Sequence, residues 1–335
     1  MITTSPIGLA SDDWQRELAE AWRSPAALLE HLGLSGHPIA RQVADDPGFP
    51  LRVPDYFVGL MRHGDPADPL LAQVLSRAVE AVPADGFTAD PVGDGAASRA
   101  PGLLQKYRGR ALLITTGACA VHCRYCFRRH FPYQTDAARG DWADLAEQLR
   151  SLDVAELILS GGDPLTLADS RLHRLIEQVH RGAGLRRLRI HTRLPVVLPS
   201  RITRALLAPF SRLSMRCVWV IHANHPNEVT PELGEAAARL RDSGGTVLNQ
   251  AVLLKSVNDD ADTLETLSEA LFGVGVLPYY LHLLDPVAGA AHFDVPVGRA
   301  RGLLRELRAR LPGYLVPRLV QEVAGADAKR PIDVA

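Results

Sequence analysis

The sequence predicts an α/β fold built on a parallel sheet whose strand ends converge on one cavity. Three observations predict it. Six short β-rich runs follow one another at residues 111–116, 156–160, 187–192, 217–223, 246–254 and 278–284. Segments of helical period separate them, among them DWADLAEQLRSL, SRLHRLIEQVHR, PELGEAAARLRDS and DADTLETLSEALFGVG. Strands alternating with helices pair in parallel through right-handed crossovers, either as an open doubly wound sheet or as a barrel. Finally, the unusual polar clusters GACAVHCRYC, SGGDPL, HTRLP, HANHPNE, NQ and LLDPVAG each follow the carboxyl end of a run. Parallel α/β enzymes assemble their sites at that edge.

The remaining elements flank this repeat. Residues 1–100 read as a mainly helical region: DDWQRELAEAWRSPAALLEHLGL has apolar positions at helical spacing, with Ser11 or Asp12 as N-cap, and Pro91 to Gly102 marks a break. Residues 101–295 hold the strand–helix repeat. Residues 296–335 add a helix, a short strand and a glycine-containing loop.

Composition narrows the function classes. With 37 Lys+Arg against 38 Asp+Glu the chain offers no overall attraction for nucleic acid or an anionic membrane. No apolar run approaches the roughly 18 residues of a membrane span, and the amino terminus lacks a secretory leader, so a cytoplasmic protein is expected. Lysine occurs only at Lys106, Lys255 and Lys329, which makes any lysine chemistry easy to locate.

Of four cysteines, Cys119, Cys123 and Cys126 crowd into the spacing C-x3-C-x2-C, while Cys217 stands alone in a strand run. That distribution does not suit a disulfide framework. Three thiolates from one loop leave a tetrahedral metal or a four-iron cluster one ligand short. Structural zinc takes four protein ligands, which His122 or Cys217 would have to complete, and ferredoxin clusters want a fourth cysteine. A zinc-stabilised nucleic-acid module is the competing reading, since Arg124, Tyr125, Phe127, Arg128 and Arg129 interleave basic and aromatic side chains.

The triplet CAVHCRYC, with an aromatic before its last cysteine, resembles the signature of radical S-adenosylmethionine enzymes. The longer set CRYCFRRHFPY, SGGDPL, HTRLPVVLPSRI, NHPNE, LNQAVLLKSVND and AKRP, in order from residue 101 to 333, resembles the lysine 2,3-aminomutase family. Within that family it is similar to the branch that makes (R)-β-lysine for modification of elongation factor P. The resemblance implies a partial (β/α)6 radical-SAM barrel with an N-terminal helical extension and a C-terminal cofactor-binding segment. It also implies a [4Fe-4S] cluster on the three cysteines, S-adenosylmethionine, pyridoxal 5'-phosphate and an external one-electron reductant. The implied reaction moves the α-amino group of L-lysine to C3, and the implied partners are elongation factor P and its lysyl-transferring ligase, with no nucleic acid and no membrane.

The resemblance also distributes roles. Ser160, Gly161, Gly162 and Asp163 lie along the amino group of S-adenosylmethionine, with His225, Asn227 and Gln250 reaching the cofactor from later strand ends. Lys329 matches the pyridoxal lysine, although Arg330 and the alanines at 324, 326 and 328 depart from the family's loop. Arg110 binds the pyridoxal phosphate group, with Lys106 and Tyr107 as helpers, because the guanidinium fork suits phosphate oxygens. Arg128 pairs with the substrate carboxylate, and Asp285 and Glu322 hold its side-chain ammonium. An aminomutase for another amino acid, such as glutamate, would not be expected to keep both carboxylates, and a non-catalytic metal-binding module is the remaining alternative.

Overall fold

A computed structural model describes residues 13–44, 48–136, 142, 144–182 and 184–333. Ten strands form one sheet in chain order: β1 Ser98–Ala100, β2 Leu103–Leu104, β3 Arg110–Thr116, β4 Glu156–Gly161, β5 Arg187–Thr192, β6 Arg216–Ile221, β7 Thr246–Val252, β8 Leu277–His282, β9 Arg318–Gln321 and β10 Arg330–Pro331. From β3 to β9 every pairing is parallel, whereas β1–β2, β2–β3 and β9–β10 are antiparallel. The six expected runs are β3 to β8, and the expected tail strand is β9. β1 and β10 remain as edges, so the sheet is a partial barrel and not a closed one.

The alternation within each strand explains both the core and the cavity. Successive side chains of a strand point to opposite faces. In β5, Leu188 and Ile190 join the core that also holds Leu172, Leu175 and Ile176 of the helix Asp169–Gly182, while Arg189 and His191 face the cavity. In β7, Val247 and Ala251 go to the core and Gln250 and Val252 to the cavity. Cys217 sits on β6, buried in that same core.

The amino-terminal region departs from expectation. The segment read as one helical stretch is two short helices, Asp13–Ala19 and Pro25–His31. Between them Trp22 exchanges backbone hydrogen bonds with Val53 at 2.8 and 3.1 Å, and Ser24 caps the second helix by accepting from the Ala27 N–H at 3.2 Å. The expected N-caps Ser11 and Asp12 lie outside the described residues. One core cluster runs from Trp14 to Leu319, so the helical region and the sheet bury their apolar faces together. Among the described residues no helix is long and apolar enough to cross a membrane.

Candidate active site

The cysteine loop leaves the end of β3 and is pinned from two sides. Backbone N–H groups of His122 and Arg124 donate to the carbonyls of Arg52 and Gln73 at 2.9 Å each, which ties the loop to the amino-terminal region. On the other side the glycines at the end of β4 press against it. Gly162 N–H donates to Thr116 O and Asp163 N–H to Ala118 O, both at 2.7 Å. A Cβ on Gly162 would lie 2.1 Å from Ala118 O, and Gly161 adopts φ +116°, so two glycines are required for this approach.

Cys119, Cys123 and Cys126 all line the cavity as free thiols. Burial raises the Cys119 and Cys126 thiols, the latter to about 11, and neighbouring thiolates push in the same direction. Two such thiols with a third beside them are matched by a polycationic centre, which stabilises all three thiolates together. Among the described residues no three His, Cys, Asp or Glu groups are arranged to hold a single metal ion. His122 turns away, its Nδ1 2.8 Å from Pro50 O and its ring stacked on Phe49, and Cys217 is in the core. The donor set therefore fits a cluster with one site left to a ligand, and does not supply the fourth protein ligand of structural zinc.

The basic–aromatic run after the cysteines is not a solvated binding face. Arg124 and Arg129 both pair with Glu80, and Phe49 packs beneath the two guanidiniums at 5.3 Å. Arg128 is buried, donating from Nε to Asp94 at 2.6 Å and from Nη1 to Ser160 Oγ at 3.1 Å. The nucleic-acid reading needs those arginines exposed, so it fails.

Across the cavity, the hairpin β9–β10 brings Glu322 and Lys329 together although they stand seven positions apart. Gln321 pairs with Arg330 and Val320 with Pro331, and the Ile332 N–H donates to Leu319 O at 2.9 Å. The Lys329 Nζ lies 3.4 Å from Glu322 Oε2 and 2.9 Å from His282 Nε2. Burial lowers its pKa, against the two carboxylates Glu322 and Asp285. Asp285, after β8, has its carboxyl raised to about 7 by burial, and its Oδ1 is buried with no hydrogen-bond partner. An orphaned carboxylate oxygen on a cavity wall calls for a donor from a ligand.

Several residues stand differently from expectation. Asp163 faces the cavity, but its carboxylate accepts from Thr192 Oγ1 and the Arg193 and Leu165 N–H groups at 2.7 to 3.0 Å, so it is already engaged within the protein. His225 and Asn227 stay out of the cavity lining: His225 Nδ1 caps the turn Pro226–Glu228 by accepting from the Asn227 N–H at 3.1 Å. Lys106 is held by Asp94 and the Val92 carbonyl at 2.7 Å each, and Tyr107 donates to Glu322, so both expected phosphate helpers are already engaged. Glu322 is likewise not a free carboxylate. Arg110, Arg128, Gln250, Asp285, Glu322 and Lys329 share the one cavity with the cysteines. The sequence reading missed Asp94, Arg193 and the inward histidines His191, His222 and His282. Arg193 donates from Nη1 to Cys123 Sγ at 2.7 Å and from Nη2 to Glu228 at 3.1 Å. The signal for Arg189 and His191 was their position two apart on one face of β5.

Comparison with known proteins agrees with this geometry. Residues 113–216 match the family model of the Radical SAM superfamily. The chain is 46% identical over 327 residues to an L-lysine 2,3-aminomutase of Escherichia coli (strain K12), covering 96% of this chain and 95% of that one. It is 41% identical to an L-lysine 2,3-aminomutase of Haemophilus influenzae, covering 98% of each, and 35% identical to one of Clostridium subterminale, covering 84% of this chain and 68% of that one. A thiol triplet lacking a fourth protein ligand, on a partial parallel barrel matched nearly end to end by such enzymes, leads to one conclusion: the chain belongs to the L-lysine 2,3-aminomutase family of radical S-adenosylmethionine isomerases.

Proposed function

We propose that this chain converts free L-lysine to (R)-β-lysine in the cytoplasm, for attachment to elongation factor P by a lysyl-transferring ligase, with pyridoxal phosphate on Lys329 and an external one-electron reductant. The observation that carries the reading is the buried, orphaned Oδ1 of the half-buried Asp285, which shares a cavity with buried Arg128. Arg128 comes from the loop after β3 and Asp285 from the loop after β8, so a ligand with a carboxylate at one end and an ammonium at the other satisfies both. Specificity follows, because a ligand lacking the distal ammonium leaves Asp285 unpaired.

Cys119, Cys123 and Cys126 would hold the cluster, the backbone of Ser160, Gly161 and Gly162 together with Gln250 would meet S-adenosylmethionine, and Arg110 would bind the phosphate. When bound, these groups supply the hydrogen-abstracting radical and the π-bond through which an amino group migrates. The protein's own part is positioning and dryness. Asp94 fixes the Arg128 fork through Nε, and Ser160 fixes it through Nη1. Identity to the L-lysine 2,3-aminomutases of Escherichia coli and Haemophilus influenzae, and also to the clostridial one, supports lysine as the substrate. Anaerobic enzyme reconstituted with iron, sulfide, S-adenosylmethionine and pyridoxal phosphate is expected to turn free lysine into β-lysine, and chiral chromatography reads the isomer. Turnover of another amino acid in place of lysine would replace this reading.

A further inference from the structure

Lys329 Nζ has a neighbour to which the proposed reaction gives no task. His282, the last residue of β8, is 3% exposed, and its Nε2 lies 2.9 Å from Nζ. Sheet register delivers this contact. β8 pairs His282 with Val320 of β9, the strand that leads into Glu322, and β10 begins at Arg330, next to Lys329. Three adjacent strands thus bring an imidazole, a carboxylate and an amine to one point. The Tyr280 ring stands edge-on to the imidazole at 5.6 Å and lies 5.7 Å from Nζ, so an aromatic surface backs both groups.

Burial, with the charge of Lys329 adding to it, holds His282 far below the usual histidine range, and the imidazole is neutral. The two partners of Nζ therefore act differently. A carboxylate favours the ammonium form, whereas a neutral imidazole nitrogen accepts an N–H from ammonium and amine alike. An amine held this way keeps its place after losing a proton, with its lone pair left for a carbonyl carbon.

We propose that His282 is a positioning residue for Lys329, accepting a hydrogen bond from Nζ so that the free side chain stays aimed at the cavity and recaptures a carbonyl ligand. The inference rests on Lys329 being the pyridoxal lysine, and its test separates the two. Full-length protein freed of pyridoxal is mixed with pyridoxal phosphate, quenched with borohydride at timed intervals, and the labelled peptide is quantified. Wild type, His282→Phe and His282→Gln are compared, with cluster iron and sulfide confirming that each is folded. The Phe variant is expected to label Lys329 roughly tenfold more slowly, the equivalent of about 1.4 kcal/mol, and the Gln variant, whose amide oxygen still accepts, to recover most of the rate. Wild-type speed in the Phe variant, or equal slowing in both, overturns the proposal and makes His282 a packing residue. Label on a residue other than Lys329 in the wild type overturns the pyridoxal assignment itself, and this proposal with it.

Discussion

Asp285 concentrates the electrostatics of the site in one carboxyl. Its folded pKa of about 7 stands well above the roughly 3.9 of an exposed aspartate, so the folded protein keeps a proton there that the unfolded chain has lost. The sign follows: the stabilising contribution is full below pH about 4 and is lost as pH rises through about 7. Without ligands, Asp285→Asn should therefore gain on the wild type across that window, by on the order of a few kcal/mol at pH 8, in denaturant midpoints. Lysine turnover should move oppositely, since the ligand ammonium needs the ionised carboxyl. The same variant should lose about thirtyfold to several thousandfold in kcat/KM, for a buried charge left unpaired. Parallel stability curves for the two proteins would show that Asp285 is not held protonated. Glu322 is expected to behave less simply, because it touches Lys329 and Tyr107 and its loss disturbs the lysine as well. That the cysteines, Lys329 and Asp285 would meet in one cavity was legible in the sequence from the order of the motifs. His282 and Arg193 were not, because a histidine inside a β-rich run, or an arginine just after one, looks the same whether it meets a partner inside the protein or water.

At the level of elements, the end of β4 meets the cysteine loop with no room for a side chain at Gly162. Gly162→Ala would place a methyl 2.1 Å from the Ala118 carbonyl, a backbone atom that cannot rotate away, so the loop must shift. The expected outcome is a protein destabilised by about 1–3 kcal/mol that retains little cluster iron after reconstitution. Full iron loading in a stable Ala variant would show that the loop has slack. The strands themselves were legible, since β3 to β8 are period-2 or fully apolar runs bounded by turn residues. The short helices before residue 100 were not, because Trp22 and Val53 pair across 31 residues and no local pattern reports that bridge.

At the scale of the whole molecule, the amino-terminal region and the sheet cannot be separated at residue 100 without stranding charge. Glu80 serves both Arg124 and Arg129, while Gln73 accepts from Arg193 and Asn224 and donates to Glu228. Burial alone would raise the Glu80 carboxyl, but the guanidiniums overcome it and hold it low. Glu80→Gln leaves two buried arginines without a counter-charge and should cost about 3–5 kcal/mol, visible as an earlier unfolding midpoint. An unchanged midpoint would mean that the region contributes packing only. The partial closure of the sheet has one more consequence. An open barrel admits bulky ligands from the side, yet an unpaired strand edge also invites another chain to add to it. Here the edges are β1, three residues long, and β10, two residues long and ending in Pro331, which has no N–H to offer. The open side of the sheet is therefore a poor template for aggregation, and the enzyme can stay open without becoming sticky.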